Sequence, residues 1–357
     1  MASITKRGKK WRARASYVDA RGIRQQPSKT FDTKKAATEW ATRLENQIFD
    51  GSDINAGKLL FPEYFEKWVK INKKNAVRAS TYMRYESAIK RVNEMFENIP
   101  LDKLTAFKVQ EKINKFGETH TKAYSHNIVA AVKLSLHDAF LDGIIKRDIS
   151  PRLKASGKKI DDDHNYLDEQ DFIKLQNFLY ERQAEMPINH FYLMALIALE
   201  TGARVGEIQA LTSQDITPSY ISIDKSYSAA TKETTAPKTS NSIRRVTITP
   251  KLYRLIHDYL EKINSQALFP DKVPSWKIRE GMKELSSNAH VAPVRFHGLR
   301  HSHVSYLLNH DIDIQYVSKR VGHANVNVTL KTYAHLLKEK ELAQDELTLK
   351  ILSLGDQ

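Results

Sequence analysis

Arg204, His297, Arg300, His323 and Tyr333 are residue types that could do chemistry on a phosphodiester. A phosphodiester under attack gathers negative charge on its non-bridging oxygens, and guanidinium forks clamp such oxygens at two points. Arg204 and Arg300 suit that task. Arg204 follows Thr201-Gly202, where glycine permits a close turn ahead of a helix, and it lies one turn from Glu207. Glu207 either orients Arg204 or pairs with it on the surface. His297 and Arg300 are three apart and share a helix face, so both can address one phosphate. The neighbouring His301 reads as structural or as a partner of nearby backbone. His323 follows Gly322 in a turn that would begin a helix, where it donates to a phosphate or caps the helix. Tyr333 is the candidate nucleophile. A free phenol, with a pKa near ~10, attacks poorly at neutral pH and needs a base and cationic neighbours. Two arginines and His297 supply both. Tyr316, beside Val317 on an apolar helix face, reads as core, and Tyr306 runs into Leu307-Leu308, so neither competes.

Four segments carry these residues: Thr201-Gly202-Ala203-Arg204-Val205-Gly206-Glu207-Ile208, Pro237-Lys238-Thr239, His297-Gly298-Leu299-Arg300-His301, and Gly322-His323 with Tyr333 ten positions on. In this order, over residues 166 to about 337, they resemble the tyrosine recombinase family. The resemblance implies an active site of Arg204, Lys238, His297, Arg300, His323 and Tyr333. Lys238 is the implied general acid, carried on a loop between two strands and protonating the departing 5′ oxygen. Lys225 and Lys232 are nearby, and the choice of Lys238 rests on its Pro237-Thr239 frame and on Arg244-Arg245-Val246 downstream. The implied reaction is two transesterifications through a 3′-phosphotyrosine. One ester replaces another at nearly equal energy, so neither ATP, metal nor other cofactor is expected, and no phosphate-cradling glycine loop is present.

The scaffold expected around these residues is multidomain and mainly α. At 357 residues and 41% hydrophobic, the chain can bury two or three cores. Residues 1–55 read as a small β-sheet plus helix: apolar and basic residues alternate from Trp11 to Tyr17, Asp19-Ala20-Arg21-Gly22 is a turn, a weaker strand follows through Gln25, and Ala36, Ala37, Trp40, Leu44 and Ile48 recur at helical spacing. Lys9, Lys10, Arg12, Arg14, Arg21 and Arg24 crowd its N-terminal tail and strands, a face suited to a DNA groove or to plain solvation. Residues 58–152 read as a helical bundle, with Phe61, Phe65, Trp68, Val92, Phe96, Val132 and Leu136 as core. Residues 153–165 are polar and read as a linker. Residues 166–357 read as an α+β catalytic domain: helices at 169–182, 191–199 and 250–263, paired strands at 220–224 and 244–248, and a C-terminal helix. In the apolar segment 337–354, Leu342, Leu347, Leu349 and Leu352 would dock on a neighbouring protomer or on their own domain. By resemblance, the first two domains are similar to the arm-binding and core-binding domains of phage-type integrases.

A formal net charge of +14 favours polyanion partners. With no cysteine, disulfides, thiolate zinc sites and cysteine nucleophiles are excluded. No stretch approaches the ~20 apolar residues of a membrane helix, and no secretory signal is indicated, so a cytoplasmic, nucleoid-associated protein is expected. The resemblance implies attachment sites in double-stranded DNA, a homotetramer on DNA, an excisionase and a DNA-bending host protein as partners, and integration and excision of a mobile element such as a temperate phage. Other readings remain. A metal-dependent hydrolase would use His297, His301, His303, His323 and His335, but Arg300 repels a cation and no acidic residue stands at ligand spacing. A non-enzymatic DNA-binding protein would need the basic surface and not Tyr333. A chromosome-dimer resolvase or transposon recombinase of the same family, or a type IB topoisomerase, would share the chemistry, though resolvases generally lack the N-terminal module.

Overall fold

The computed structural model describes residues 2–18, 24–49, 56–159, 165–237, 240–339, 345, 348–350 and 352–353. It divides into two units, Met1–Asp161 and Asp162–Gln357.

In the first unit, β1 (Ser3–Arg7) and β2 (Lys10–Arg14) pair antiparallel across a turn at Gly8, whose φ of 60° suits glycine. Strand β2 also pairs with β5 (Ser28–Phe31), and β3 (Tyr17–Val18) with β4 (Arg24–Gln25). The segment read as a basic tail is therefore an edge strand; its single alternation was too short and too polar to show. The period of two sends Ala13 and Trp11 toward Ala37 and Ala41 of α1 (Lys34–Phe49), leaving Lys10, Arg12 and Arg14 on the opposite face. Lys10 pairs with Asp32 at 3.2 Å, Arg12 donates to Ser28 Oγ at 3.1 Å and Arg24 to Ser16 Oγ at 2.9 Å. Lys9 is exposed, and the expected turn containing Arg21 lies outside the described residues.

The bundle comprises α2 (Phe61–Lys73), α3 (Ala79–Phe96), α4 (Ala106–Thr119) and α5 (Lys122–Leu141) around Phe61, Phe65, Val92, Phe96, Ile113 and Leu136. Thr105 and Thr121 cap α4 and α5 by accepting from Lys108 and Tyr124 backbone N–H groups. Leu153 is buried in this core, and Lys122 N–H donates to the Lys158 carbonyl at 2.9 Å. The polar stretch is thus held to the bundle through residue 158.

In the second unit, α6 (Glu169–Glu181) precedes α7 (His190–Thr201), whose residues 191–199 are all buried. A helix apolar on every side belongs at the centre of a core. After α8 (Val205–Gln209), β6 (Tyr220–Ile223) pairs antiparallel with β9 (Arg244–Thr247), Tyr220 opposite Thr247, as the alternation predicts. Between them a second hairpin, β7 (Ser226–Ser228) with β8 (Glu233–Thr235), occupies the polar segment read as loop, with Lys232 at φ 56° in its turn. The helices α9 (Pro250–Ile263), α10 (Ser275–Asn288), α11 (Phe296–Asn309), α12 (Ile314–Val321) and α13 (Val326–Glu339) complete the unit, with α11 packed along α7. Tyr316 is 48% exposed, which corrects its reading as core. Adjacent residues on a helix point about 100° apart, so burying Val317 turns Tyr316 outward. Leu349 and Leu352 are exposed, while Leu342 and Leu347 lie outside the described residues.

Candidate active site

Glu207 organises the arginines. It is 3% exposed, a position no carboxylate holds without strong partners. Arg204, at the N-cap of α8, gives its backbone N–H to Glu207 Oε2 at 2.9 Å and Nη1 to Oε1 at 2.7 Å. Arg244 of β9 gives Nη2 to Oε2 at 2.8 Å and Nε to the Arg320 carbonyl at 2.7 Å. Burial alone would raise the Glu207 carboxyl pKa, but the Arg244 hydrogen bond and charge, joined by Arg204, hold it below the usual range. The ion pair anticipated for Arg204 is therefore a buried bridge between two arginines. Arg204 also reaches the Gly322 carbonyl with Nη2 at 3.0 Å, tying α8 to the end of α12.

Arg300 and His297 lie one turn apart on α11. Arg300 is 2% exposed; Nη1 donates to the Gly202 carbonyl at 2.7 Å, and Nη2 has no partner among the described residues. Burial, then the charges of Arg204 and Arg244, lower its pKa to about 9, so it remains cationic at neutral pH. Gly202 adopts φ 66° at the end of α7, and a Cβ there would meet Val321 Cγ1 at 2.8 Å and His303 Cδ2 at 2.9 Å. His297 lies at an exposed position, yet the walls around its ring, followed by His301, Arg300 and Arg204, push its pKa down to about 4. His323 follows the left-handed Gly322 that ends α12, and its Nδ1 meets Thr329 Oγ1 at 2.7 Å. Burial, Arg300 and Arg204 lower it to about 4.

Tyr333 is 2% exposed and sits at a break in α13, with φ −114° and ψ 17°. Its hydroxyl contacts His301 Nδ1 at 2.6 Å. Burial raises its pKa above the ordinary phenol value, and Arg300 opposes that shift. The charge of Arg300 thus reaches His297, His323 and Tyr333, and that of Arg204 reaches His297, Arg300 and His323. Lys238 lies outside the described residues.

Residues 165–340 match the Phage integrase family, residues 60–117 a phage integrase N-terminal SAM-like domain, and residues 2–48 an arm DNA-binding domain. The chain belongs to the phage integrase family. It is a tyrosine-type site-specific recombinase of the mobile-element integrase class. This integrase is 26% identical over 339 residues to the ICEBs1 integrase of Bacillus subtilis (strain 168), covering 87% of this chain and 89% of the relative. Its fold is similar to that of the Tn1549 transposon integrase solved in complex with transposon right end DNA, with TM-score 0.66, 16% identity, and 81% and 99% of the two chains covered. It is also similar to a lambda integrase tetramer bound to a Holliday junction, with TM-score 0.59, 15% identity, and 91% and 92% covered.

Two residues that touch the candidate site escaped sequence reasoning. Arg244 served there only as context for Lys238, although a basic residue at the buried end of an alternating strand signals a carboxylate partner. His301, read as structural, touches Tyr333, whereas His297 had been the expected base. Its signal was weak: positions 297 and 301 are four apart and share a helix face. His303 is the structural histidine of α11, buried with Nδ1 against the Leu199 carbonyl at 2.9 Å. Among the described residues, three or more histidine or carboxylate ligand atoms come within 4.8 Å of one another only at His257, Asp258 and Glu261, all exposed on α9.

Proposed function

We propose that the integrase cleaves duplex DNA by attack of Tyr333 Oη on the scissile phosphate, giving a 3′-phosphotyrosine and a free 5′ hydroxyl. A 5′ hydroxyl from the partner duplex then attacks that linkage and rejoins the strand. The observation carrying this reading is Arg300, buried with Nη2 unsatisfied, beside Arg204 and Tyr333. A buried unpaired guanidinium edge is costly, and a phosphate oxygen is the acceptor that satisfies it best. Arg204 and Arg300 clamp the non-bridging oxygens, His297 and His323 donate to them, and Lys238 protonates the 5′ oxygen. Both histidines are held neutral at pH 7 in the free protein, so each presents one N–H as donor.

The domain assignment supports recognition at two kinds of site. Residues 1–55 bind arm-type DNA through Lys9, Lys10, Arg12, Arg14, Arg21 and Arg24. Residues 58–152 close over the core site, 153–165 link the two, and 166–357 catalyse. Exchange between two duplexes needs four protomers, so the working assembly is a homotetramer on attachment-site DNA, in the cytoplasm at the nucleoid, with an excisionase and a DNA-bending host protein setting direction. No described helix is long and apolar enough to cross a membrane.

The test is incubation with nicked attachment-site DNA without added metal, followed by denaturing electrophoresis. Wild type forms an SDS-resistant adduct and Tyr333→Phe forms none. An equal adduct from Tyr333→Phe overturns the assignment, and its absence from both leaves DNA binding alone as the function.

A further inference from the structure

We propose that His301 is the base for Tyr333, accepting the hydroxyl proton at Nδ1 as Oη attacks the DNA phosphate. The inference rests on Tyr333 being the nucleophile. The Tyr333 hydroxyl lies 2.6 Å from His301 Nδ1, with ring centroids 5.9 Å apart and planes at 52°. A phenol has one proton to donate, so the histidine tautomer that meets it carries its own proton on Nε2 and presents a lone pair at Nδ1. His297, the base suggested by spacing, instead stands edge-on to His301, with centroids 4.8 Å apart and planes at 90°. His297 holds the more exposed position of the two and is left to donate to phosphate.

The environment makes a contacting base necessary. Tyr333 is 2% exposed, which keeps bulk water from serving. Burial holds the phenol protonated, with Arg300 opposing that effect. Full transfer to imidazole in the resting protein runs uphill, so the proton moves as the Oη–P bond forms and the phenol oxygen becomes acidic. The break in α13 at Tyr333 frees its side chain from helical register, and the hydroxyl is then located by His301 on α11.

In the cleavage step, the Oη–P bond forms, the P–O5′ bond breaks, the phenolic proton goes to His301 Nδ1, and O5′ takes a proton from Lys238. The imidazolium so formed faces a phosphate whose negative charge has grown, which offsets the neighbouring Arg300. In rejoining, a 5′ hydroxyl forms the O5′–P bond and returns its proton to Lys238, the Oη–P bond breaks, and Oη recovers its proton from His301.

Single-turnover adduct formation on nicked attachment-site duplex tests this across pH for wild type, His301→Ala and His301→Asn, with and without imidazole. A second duplex carries sulfur in place of the scissile 5′ oxygen. His301→Ala is expected to slow cleavage by about 10²–10⁴-fold, imidazole to restore part of the rate, and the acid-side fall of the wild-type rate to vanish from the variant. His301→Asn keeps an acceptor near the Nδ1 position without basicity and stays slow, which separates proton acceptance from mere orientation. A thiolate leaves without protonation, so the sulfur duplex rescues Lys238→Ala and not His301→Ala. Wild-type rates from His301→Ala or His301→Asn, or sulfur rescue of His301→Ala, overturn the proposal. Absence of a Tyr333-dependent adduct in wild type is a different result, because it removes the nucleophile itself.

Discussion

Arg320 donates from Nε to His303 Nε2 at 3.1 Å, which fixes a buried imidazole in its neutral form. The His303 Nδ1–H donates to the Leu199 carbonyl, while the Arg320 Nη groups reach Thr247 Oγ1 at 2.8 Å and the carbonyls of Thr247 and Glu200 at 3.0 and 3.1 Å. One guanidinium thereby locks α12, which runs into Gly322 and His323, to β9 and α7. Burial, then Arg320, push the His303 pKa down to about 3. Its folded value lies below the unfolded ~6.5, so the unfolded chain binds more protons in between. The stability present above ~6.5 is lost as pH falls toward 3, by at most about 1.4 kcal/mol per pH unit. His297 and His323, held to about 4, act in the same direction. The melting temperature should therefore drop between about pH 7 and pH 5, with a shallower slope in His303→Gln. Equal slopes would show that His303 is not the group responsible.

Removing Glu207 leaves the buried Arg244 without its carboxylate and unties the partly exposed Arg204. Glu207→Ala should cost about 3–5 kcal/mol in urea unfolding, as for other broken buried pairs. Glu207→Gln keeps hydrogen-bonding atoms and should cost less, yet still slow adduct formation because Arg204 loses its fixed orientation.

Gly202→Ala forces a Cβ into Val321 and His303 at a residue with φ 66°. The left-handed conformation alone costs about 1–2 kcal/mol, and relief of the clash moves the carbonyl that anchors Arg300. A stability loss of at least about 2 kcal/mol is expected, with cleavage reduced even at temperatures where the variant remains folded. A variant stable as wild type would contradict the packing described.

Arg12→Ala with Arg14→Ala should weaken binding to arm-type DNA and reduce the slope of log affinity against log salt by about 0.9 for each phosphate no longer neutralised. Both residues lie on the sheet face opposite α1, so the melting temperature should hold. An unchanged salt slope would remove this face from the DNA interface.

The residues of the candidate site could be singled out in the sequence because their types are rare in combination and their order along the chain is distinctive. Helices α6, α7 and α9 were legible from apolar period, and the β6–β9 pairing from alternation. What stayed hidden depends on side chains meeting across long stretches of chain. The link from His301 to Tyr333 spans 32 positions, and Arg320 to His303 spans 17, distances at which spacing carries no information. Strand β1 was hidden for a different reason. Its residues are mostly exposed and Ile4 alone is strongly apolar, so its pairing with β2 stabilises it more than any apolar stripe of its own. Tyr316 shows the converse error, since an apolar neighbour does not make a helix position inward.

The central claim is that Tyr333 forms the covalent bond to DNA. After single-turnover cleavage of nicked attachment-site duplex, trypsin would release residues 332–338, in which Tyr333 is the one tyrosine. Mass spectrometry should find the nucleotide remnant on that peptide, through phosphate on the phenol oxygen. A remnant on the peptide carrying Tyr316 or Tyr306, or an adduct that survives in Tyr333→Phe, would contradict the account.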